Sequence, residues 1–155
     1  MTVTKTNRTL VIGIGNDSRA DDGLGWKFVE HAEKAFPHLD WRQRFQLQVE
    51  DAALISRYDE VIFVDATHSH LKGGFKWSPC KVSMVRSFST HHLDPSTVLS
   101  LARELYACKV KGSVLAIEGA TWGIQMGLSQ EAENNLHRAM RHFAGKYGVV
   151  SDVKM

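Results

Sequence analysis

The sequence predicts an α/β protein with three layers, α/β/α, in which helices cover both faces of a mostly parallel, twisted sheet of about five strands. Three nearly continuous apolar runs, at residues 10–14, 60–64 and 113–117, are typical of strands that are buried on both faces. Segments with the helical spacing of apolar residues separate these runs, as expected when crossover helices join parallel strands. The length of 155 residues suits a single domain, 1–155.

The predicted elements follow one another closely along the first half of the chain. Pro37 ends the first helix, because proline cannot continue a helix. The apolar run at 60–64 ends in Asp65, which places a carboxylate directly after a central strand. In order, the expected elements are a strand at 9–15, a helix at 23–36, a strand at 44–49, a short helix at 51–58 and a strand at 60–64.

The second half begins with one or two strands between residues 75 and 85, which Pro79 confines to an edge of the sheet. A helix then starts at Asp94 as N-cap with Pro95 in its first position. Its expected inner face consists of Val98, Leu99, Ala102, Leu105 and Tyr106. A strand at 113–117 and a long loop at 118–127 precede a last helix at 129–146, whose expected inner face consists of Ala132, Leu136, Met140, Phe143 and Tyr147.

Composition argues against some classes of partner. The chain has 19 basic and 17 acidic residues, and its net charge of +2 is too weak to favour nucleic acid or an anionic membrane. No segment approaches the roughly 20 apolar residues of a membrane span, and residues 1–9 lack the apolar run of a signal peptide. Cys80 and Cys108 stand in no metal or redox spacing. We therefore expect a cytoplasmic protein, and we expect it to be a monomer.

Residues 10–25 concentrate polar and charged side chains where a strand passes through a glycine-rich loop into a helix. The loop lacks the third glycine of a dinucleotide fingerprint, because Ser18 takes that position, and it lacks the lysine of a Walker-type loop. Asp21 and Asp22 would repel a phosphate but could hold a cation. The alternative is that these two aspartates only cap the following helix. The loop thus favours a cation over a nucleotide.

Three strand-terminal loops are expected to open at the same edge of the sheet. They carry Asp22, Asp65 and the two adjacent histidines His91 and His92. Two carboxylates and an imidazole form a nitrogen and oxygen site that suits nickel, zinc or manganese and leaves positions open for further ligands. Asp65, taken alone, could equally turn or cap the chain after its strand.

The pattern G-x-G-N-x-x-R-x-D-D-G-x-G, from Gly13 to Gly25, resembles the start of the hydrogenase maturation endopeptidases. The resemblance covers nearly the whole chain, from residue 10 to residue 129. It implies a protease that removes the C-terminal extension of a nickel-iron hydrogenase large-subunit precursor once nickel has been inserted. The precursor would be the partner, and nickel would be carried by that precursor, although zinc or another divalent ion could substitute.

The resemblance also implies the metal-binding and catalytic residues. In the family, a carboxylate before the glycines of the first loop, an aspartate at the end of a central strand and a histidine before a later helix bind the metal. These fall on Asp22, Asp65 and His91. The preference for His91 over His92 follows from aligning S-T-H-H-L. Such a metal could polarise the scissile carbonyl or lower the pKa of a bound water.

The sequence departs from the family pattern after the second strand. The family often has D-G-G-T-x-G there, whereas residues 45–50 are F-Q-L-Q-V-E. This version looks like the subgroup that serves other hydrogenase classes, bidirectional types among them, so the class of hydrogenase stays open. Two rival functions also stay open: a maturation chaperone that binds a metal centre or peptide without cutting, and a small-molecule metallohydrolase.

Other polar residues near these loops have simpler explanations. His68 and His70 form an H-x-H pattern, but histidines in a polar loop are more often solvated than bound to metal. For Asn16 and Arg19 we favour a role in shaping the loop over a contact with substrate. Cys80 would need a neighbouring base to act as a nucleophile, and its strand position near a proline offers none.

Overall fold

The computed structural model describes residues 7–82 and 93–148. Single 3-10 turns at Ala20–Gly23 and Lys72–Gly74 precede a helix and a strand. No helix within the described ranges is both long enough and apolar enough to cross a membrane. In chain order the described elements are β1 (Thr9–Ile14), α1 (Leu24–Ala35), β2 (Asp40–Arg44), α2 (Glu50–Ile55), β3 (Glu60–Thr67), β4 (Phe75–Pro79), α3 (Pro95–Tyr106), β5 (Lys111–Glu118) and α4 (Gln130–Tyr147).

The strands form one sheet in the order β2-β1-β3-β5-β4. β2, β1, β3 and β5 are parallel, and β4 pairs with β5 in the antiparallel direction at the edge. The edge position of β4 agrees with the prediction from Pro79, which is the last residue of the strand, and residues 83–85 of the predicted span lie outside the described residues. The mostly parallel sheet of five strands is therefore confirmed. Its parallel strands all end at the same edge, which is where an open α/β sheet places its site.

Two hydrophobic cores flank the sheet. Successive residues of β1 point to opposite faces, so Leu10 and Ile12 belong to the core that α2 and α3 cover, whereas Val11 belongs to the core under α1 and α4. In the second core the rings of Phe143 and Phe28 meet edge to face, with centroids 5.3 Å apart. Helices thus cover both faces, which confirms the three-layer architecture.

The strand predicted at 44–49 is wrong in position. It lies instead at Asp40–Arg44, where it pairs with β1 at the edge of the sheet. An edge strand is covered less fully than a central one, so the polar sequence D-W-R-Q-R is tolerated and gives no apolar run to detect. The residues that follow turn into α2, where the backbone N–H of Gln48 donates to the Asp51 carboxylate (2.9 Å).

The last turn of α3 also differs from the prediction. Leu105 and Tyr106 are exposed, at 62% and 49%. Ala107 adopts the left-handed conformation directly after them, and the Arg103 guanidinium reaches forward to donate to the carbonyl oxygen of Val110. This closing contact leaves the two residues on the outer side of the helix end. The buried face does include the other predicted residues, Val98, Leu99 and Ala102.

β3 and α4 extend beyond their predicted ends. β3 continues two residues past Asp65, because residues 65–67 keep pairing with β5. Asp65 therefore lies within the strand and not after it. In α4, Met140 and Tyr147 are only partly buried, and Ala139 takes a fully buried position instead. The Tyr147 hydroxyl donates to the Glu60 carboxylate (2.9 Å).

Leu99→Ala should lower the free energy of unfolding by about 3 kcal/mol, because it removes a fully buried side chain and leaves a cavity. Leu105→Ala is the matched control on the same helix, and its effect should stay within about 0.5 kcal/mol. Urea denaturation followed by circular dichroism measures both variants. Equal losses would show that the buried face of α3 is assigned wrongly.

Candidate active site

The loop between β1 and α1 is folded back onto the end of β1. Gly15 has a φ of 149°, and a Cβ there would lie 2.0 Å from the carbonyl oxygen of Asp22, so glycine is required. The backbone N–H of Asn16 donates to that same oxygen (3.1 Å). Gly25 allows α1 to pack on the strand, since a Cβ there would lie 2.4 Å from the carbonyl oxygen of Ile14. The glycines of the motif thus allow the loop to fold back, so that Asp22 lies at the end of β1.

Asn16 shapes this loop, in agreement with the sequence-based prediction. Its side-chain oxygen accepts hydrogen bonds from the backbone N–H of Ser18 (3.0 Å) and from the Ser18 hydroxyl (2.6 Å). Its backbone carbonyl accepts from the N–H of Arg19 (3.1 Å). The guanidinium of Arg19 acts on Asp22 electrostatically, so this residue contributes charge to the site as well as loop structure.

Asp21 is fully buried and binds the loop between β5 and α4. Its carboxylate accepts hydrogen bonds from the backbone N–H groups of Ala120 (2.7 Å), Thr121 (2.8 Å) and Ser129 (2.7 Å), and from the Ser129 hydroxyl (2.7 Å). Burial by itself would raise the pKa of Asp21, but these hydrogen bonds outweigh it and hold the pKa below its ordinary value. Asp21 is therefore a structural anchor between two loops.

The helix-capping alternative for the two aspartates is wrong. Gly23 occupies the N-cap of α1, and no side chain caps that helix by a hydrogen bond. The preceding 3-10 turn, whose N-cap is Arg19, likewise has no side-chain cap. Asp21 and Asp22 are thus adjacent in sequence but lie in different surroundings. Asp21 lies in the interior between two loops, and Asp22 lies at the edge of the sheet.

Asp22 and Asp65 are the two predicted site residues that the structure describes, and both have raised pKa values. Burial raises the pKa of Asp22, and the charge of Arg19 and a hydrogen bond from Asn16 offset this only in part. Burial also raises the pKa of Asp65 to about 7, with the charge of Asp22 adding to the effect and a hydrogen bond from Ala66 N–H (2.8 Å) opposing it. The two carboxylates therefore act on one another and would both gain from a nearby cation.

A pocket of about 290 Å³ opens beside Asp65. Gln46 and Leu47, from the segment where the sequence departs from the family pattern, form part of its lining. Leu93 and Asp94, at the start of α3, also line it. The remaining wall is formed by Ile14 and Pro95, so the lining combines four apolar residues with Gln46 and two aspartates, Asp65 and Asp94.

His91 and His92 lie outside the described residues, so the predicted histidine ligand stays a prediction. Leu93, two positions after His91 in the sequence, lines the same pocket as Asp65. Within residues 7–82 and 93–148, no three His, Cys, Asp or Glu side chains are arranged to hold a metal ion. The donors that are described, Asp22 and Asp65, supply oxygen ligands of the kind that divalent cations accept.

The other candidate residues have partners of their own. His70 lies 3.1 Å from the Glu118 carboxylate, which also accepts from the backbone N–H of Leu71 (2.7 Å). These groups line a larger cleft of about 470 Å³ that includes neither Asp22 nor Asp65, so the smaller pocket, which Asp65 lines, is favoured as the site. Burial raises the pKa of Cys80 to about 11, which agrees with the prediction that it is no nucleophile.

His68 is exposed, in agreement with the prediction of a solvated histidine. Its imidazole stacks on the indole of Trp122, with ring centroids 3.7 Å apart and planes 19° from parallel. It also acts electrostatically on Asp22. Trp122 was not identified from the sequence, although a tryptophan in a long loop directly after a central strand is a signal that points to this edge of the sheet.

Solved structures resemble this arrangement over most of their length. The maturation protease HycI of [NiFe] hydrogenase from Thermococcus kodakarensis KOD1 is 24% identical, with 90% of this chain and 91% of that chain covered and a TM-score of 0.67. The hydrogenase maturating endopeptidase HybD from E. coli is 18% identical, with 90% and 91% covered and a TM-score of 0.63. The hydrogenase 2 maturation peptidase from Thaumarchaeota archaeon SCGC_AB-539-E09 is 20% identical, with 91% and 98% covered and a TM-score of 0.64.

This chain has the fold of the hydrogenase maturation proteases. The fold implied by the first-loop motif is therefore confirmed. By sequence, no protein-family model and no curated protein matches the chain. The identities of 18% to 24% establish the architecture, and the activity must be argued from the site.

Asp21→Asn should lower the free energy of unfolding by about 3 kcal/mol, because the amide cannot accept all four hydrogen bonds and leaves buried donors unpaired. Asp17→Asn in the same loop is the control and should change stability by less than about 0.5 kcal/mol. Chemical denaturation measures both. Because the pKa of Asp21 is lowered on folding, its contribution should be present at neutral pH and disappear as the pH falls below about 4. A loss for Asp21→Asn that stays constant down to pH 3 would contradict the anchor role.

Asp65→Asn should stabilise the metal-free protein at pH 8 and have little effect at pH 4. The pKa of Asp65 rises from 3.8 to about 7 on folding, so its neutral form is favoured in the folded chain. That contribution is complete below pH 4 and is lost as the pH rises to about 7 and above, whereas asparagine stays neutral throughout. Melting temperatures of both proteins between pH 4 and pH 8 measure the difference.

Glu33→Gln, on the exposed side of α1, removes a carboxylate elsewhere and should show no such pH-dependent gain. A melting temperature of Asp65→Asn that stays below that of the parent at pH 8 would show that the Asp65 carboxylate is stabilised as an anion.

Proposed function

We propose that this chain is a metal-dependent endopeptidase that removes the C-terminal extension from the large-subunit precursor of a nickel-iron hydrogenase after nickel insertion. The observation that carries this proposal is the pair Asp22 and Asp65, two carboxylates with raised pKa values at the carboxyl edge of the sheet. Such a pair is suited to bind a cation and to act on a polar bond. Solved structures named as hydrogenase maturation proteases or peptidases share the fold, which supports the same function.

Asp22, Asp65 and His91 are the proposed metal-binding and catalytic residues. Nickel would belong to the precursor and reach the site as part of the substrate, and zinc or another divalent ion could substitute. A divalent metal in this position polarises a peptide carbonyl or activates water for attack. A ligand set of two carboxylates and one imidazole contains no thiolate, so we expect modest affinity for free metal, which suits a metal that arrives with the substrate.

The surroundings of the pair suit a peptide substrate. The pocket beside Asp65 has Ile14, Leu47 and Leu93 in its lining, and it has space for a substrate side chain next to the carboxylate. The loop between β5 and α4 carries two strongly exposed apolar side chains, Ile124 (87%) and Met126 (71%), which favour contact with a protein over a small molecule.

The location and assembly of the chain form part of the same proposal. We expect it in the cytoplasm, where Cys80 and Cys108, neither of them in a disulfide, would remain reduced. We also expect it to act as a monomer. Light scattering of the purified protein and fractionation of cells that express it at native levels measure these two properties.

Asp22→Asn should reduce processing of a nickel-loaded precursor by roughly 100-fold or more, because it removes a charged ligand while keeping the size of the side chain. The experiment mixes the purified chain with the precursor and follows release of the C-terminal fragment by mass spectrometry. Glu33→Gln is the control and should cleave at the parental rate, because its side chain lies on the exposed side of α1.

Each outcome of this experiment distinguishes the possible functions. Tight binding of the precursor without release of a fragment would replace the protease by a maturation chaperone. Hydrolysis of small esters or dipeptides, with the precursor left intact, would indicate a small-molecule metallohydrolase. Parental cleavage by Asp22→Asn would show that the assigned carboxylate does not take part.

A further inference from the structure

We propose that the cleft of about 470 Å³ between the end of β5, α4 and the segment after β3 binds an extended stretch of the substrate polypeptide. This inference rests on the proposed function and adds a second binding region to the pocket beside Asp65. An endopeptidase cuts within a chain, so it must position residues on both sides of the bond. The pocket beside Asp65 accounts for one side only.

The register of β3 and β5 places the cleft close to Asp65. In this parallel pair Asp65 stands opposite Ala116, and Thr67 stands opposite Glu118, which lines the cleft. With a rise of about 3.3 Å per residue and about 4.8 Å between strands, the Cα atoms of Asp65 and Glu118 lie roughly 8 Å apart. About three residues of extended chain cover that distance, so one substrate segment can reach both places.

The pocket and the cleft lie on opposite sides of the carboxyl edge of the sheet. Leu93 and Pro95 line the pocket at the start of α3, which covers one face. Asn134 and Arg138 line the cleft from α4, which covers the other face. A polypeptide that occupies both therefore crosses the edge of the sheet at the end of β3, where Asp65 lies.

Hydrogen bonds within the chain fix the floor of the cleft. The side-chain amide of Asn135, a buried residue of α4, donates to the carbonyl oxygen of Glu118 (2.9 Å) and joins α4 to the end of β5. The Glu118 carboxylate accepts from the N–H of Leu71 (2.7 Å) and holds the segment after β3. Gly74 allows this segment to approach α4, because its φ is 86° and a Cβ there would lie 1.9 Å from Oδ1 of Asn135. A cleft that is already formed spends little entropy on binding.

The side chains around the cleft suit a peptide backbone. Lys72 and Arg138 are positive, whereas Glu118 and Glu131 are negative, so the formal charges of these four residues cancel. Together with the amide of Asn134 they offer both hydrogen-bond donors and acceptors. A peptide backbone presents an N–H and a C=O at almost every residue and needs both kinds of partner. A phosphate or a divalent cation would instead require one sign of charge.

Arg138 is the side chain of the cleft that is prepared to hold such a backbone. One nitrogen of its guanidinium donates to Oδ1 of Asn135 (3.0 Å), which fixes the group at the wall of the cleft. Within residues 7–82 and 93–148 this side chain makes no other hydrogen bond or ion pair, so its remaining N–H groups can donate to peptide carbonyl oxygens. Asn134, one helical turn earlier, is exposed on the same wall.

The test compares Arg138→Ala and Asn134→Trp with the parent on the nickel-loaded precursor. Arg138→Ala removes the donor and Asn134→Trp fills the cleft, so KM should rise by about tenfold with kcat changed less than about threefold. Arg141→Ala and His137→Trp are the matched controls on α4. Both residues are exposed and lie outside the cleft lining, so these variants should keep the parental KM.

A second measurement follows binding apart from cleavage. Fluorescence anisotropy of a labelled peptide that spans the cleavage site should show about tenfold weaker binding to both cleft variants and parental affinity for both controls. Because Arg138 also contacts Asn135, a melting temperature lowered in Arg138→Ala alone would leave the decision to Asn134→Trp.

The outcomes separate the cleft from the protease function. Parental KM and parental peptide affinity in the cleft variants would overturn the inference and leave the protease function intact. A lower kcat at unchanged KM would also overturn it, because these residues would then act in the chemical step. Absence of cleavage by the parent would overturn the proposed function, and peptide affinity would still decide whether the cleft binds polypeptide.

Discussion

The buried carboxylate of Asp21 is the interaction on which the edge of this sheet depends. It lies at the start of the chain's first crossover and binds donors that are 99 to 108 residues away, in the loop between β5 and α4. One of them, the hydroxyl of Ser129, also accepts from Ala132 N–H and so caps α4. A single anion thus fixes two loops and a helix end. Asp22 and Trp122, which belong to those loops, take their positions from it.

The two neighbouring aspartates show how different surroundings change the pKa values of identical side chains in opposite directions. Both are withdrawn from water, which disfavours charge. Asp21 accepts enough hydrogen bonds from N–H and O–H groups to stay ionised, so its negative charge is stabilised within the structure. For Asp22 the charges of Arg19 and His68 and a hydrogen bond from Asn16 do not offset burial, and for Asp65 a hydrogen bond from Ala66 does not, so both pKa values stay raised. An aspartate with a lowered pKa and one with a raised pKa can therefore be adjacent in sequence.

The central features of the fold could be predicted because their signals are local. Continuous apolar strands, Asp94 with Pro95 at a helix start, and the glycines around Asp22 each appear in a short stretch of sequence, and the structure contains all of them. β2 was misplaced because an edge strand needs no apolar run. The role of Asp21 could not be predicted, because three of its four donors are backbone N–H groups that any sequence would supply. Because these donors lie far from Asp21 along the chain, no local sequence pattern indicates the contact.

The raised pKa values of Asp22 and Asp65 also bear on the proposal that the metal travels with the substrate. With a pKa of about 7, Asp65 is only partly ionised at neutral pH, so a cation must compete with a proton to bind there. That competition lowers the affinity for free metal. Further interactions that arrive with the metal would offset this loss of affinity. A metal fixed in a protein partner adds the contacts of that partner to its own charge. In the proposed function the carboxylate pair would then discriminate between a loaded and an empty partner, because without a cation Asp22 and Asp65 repel one another.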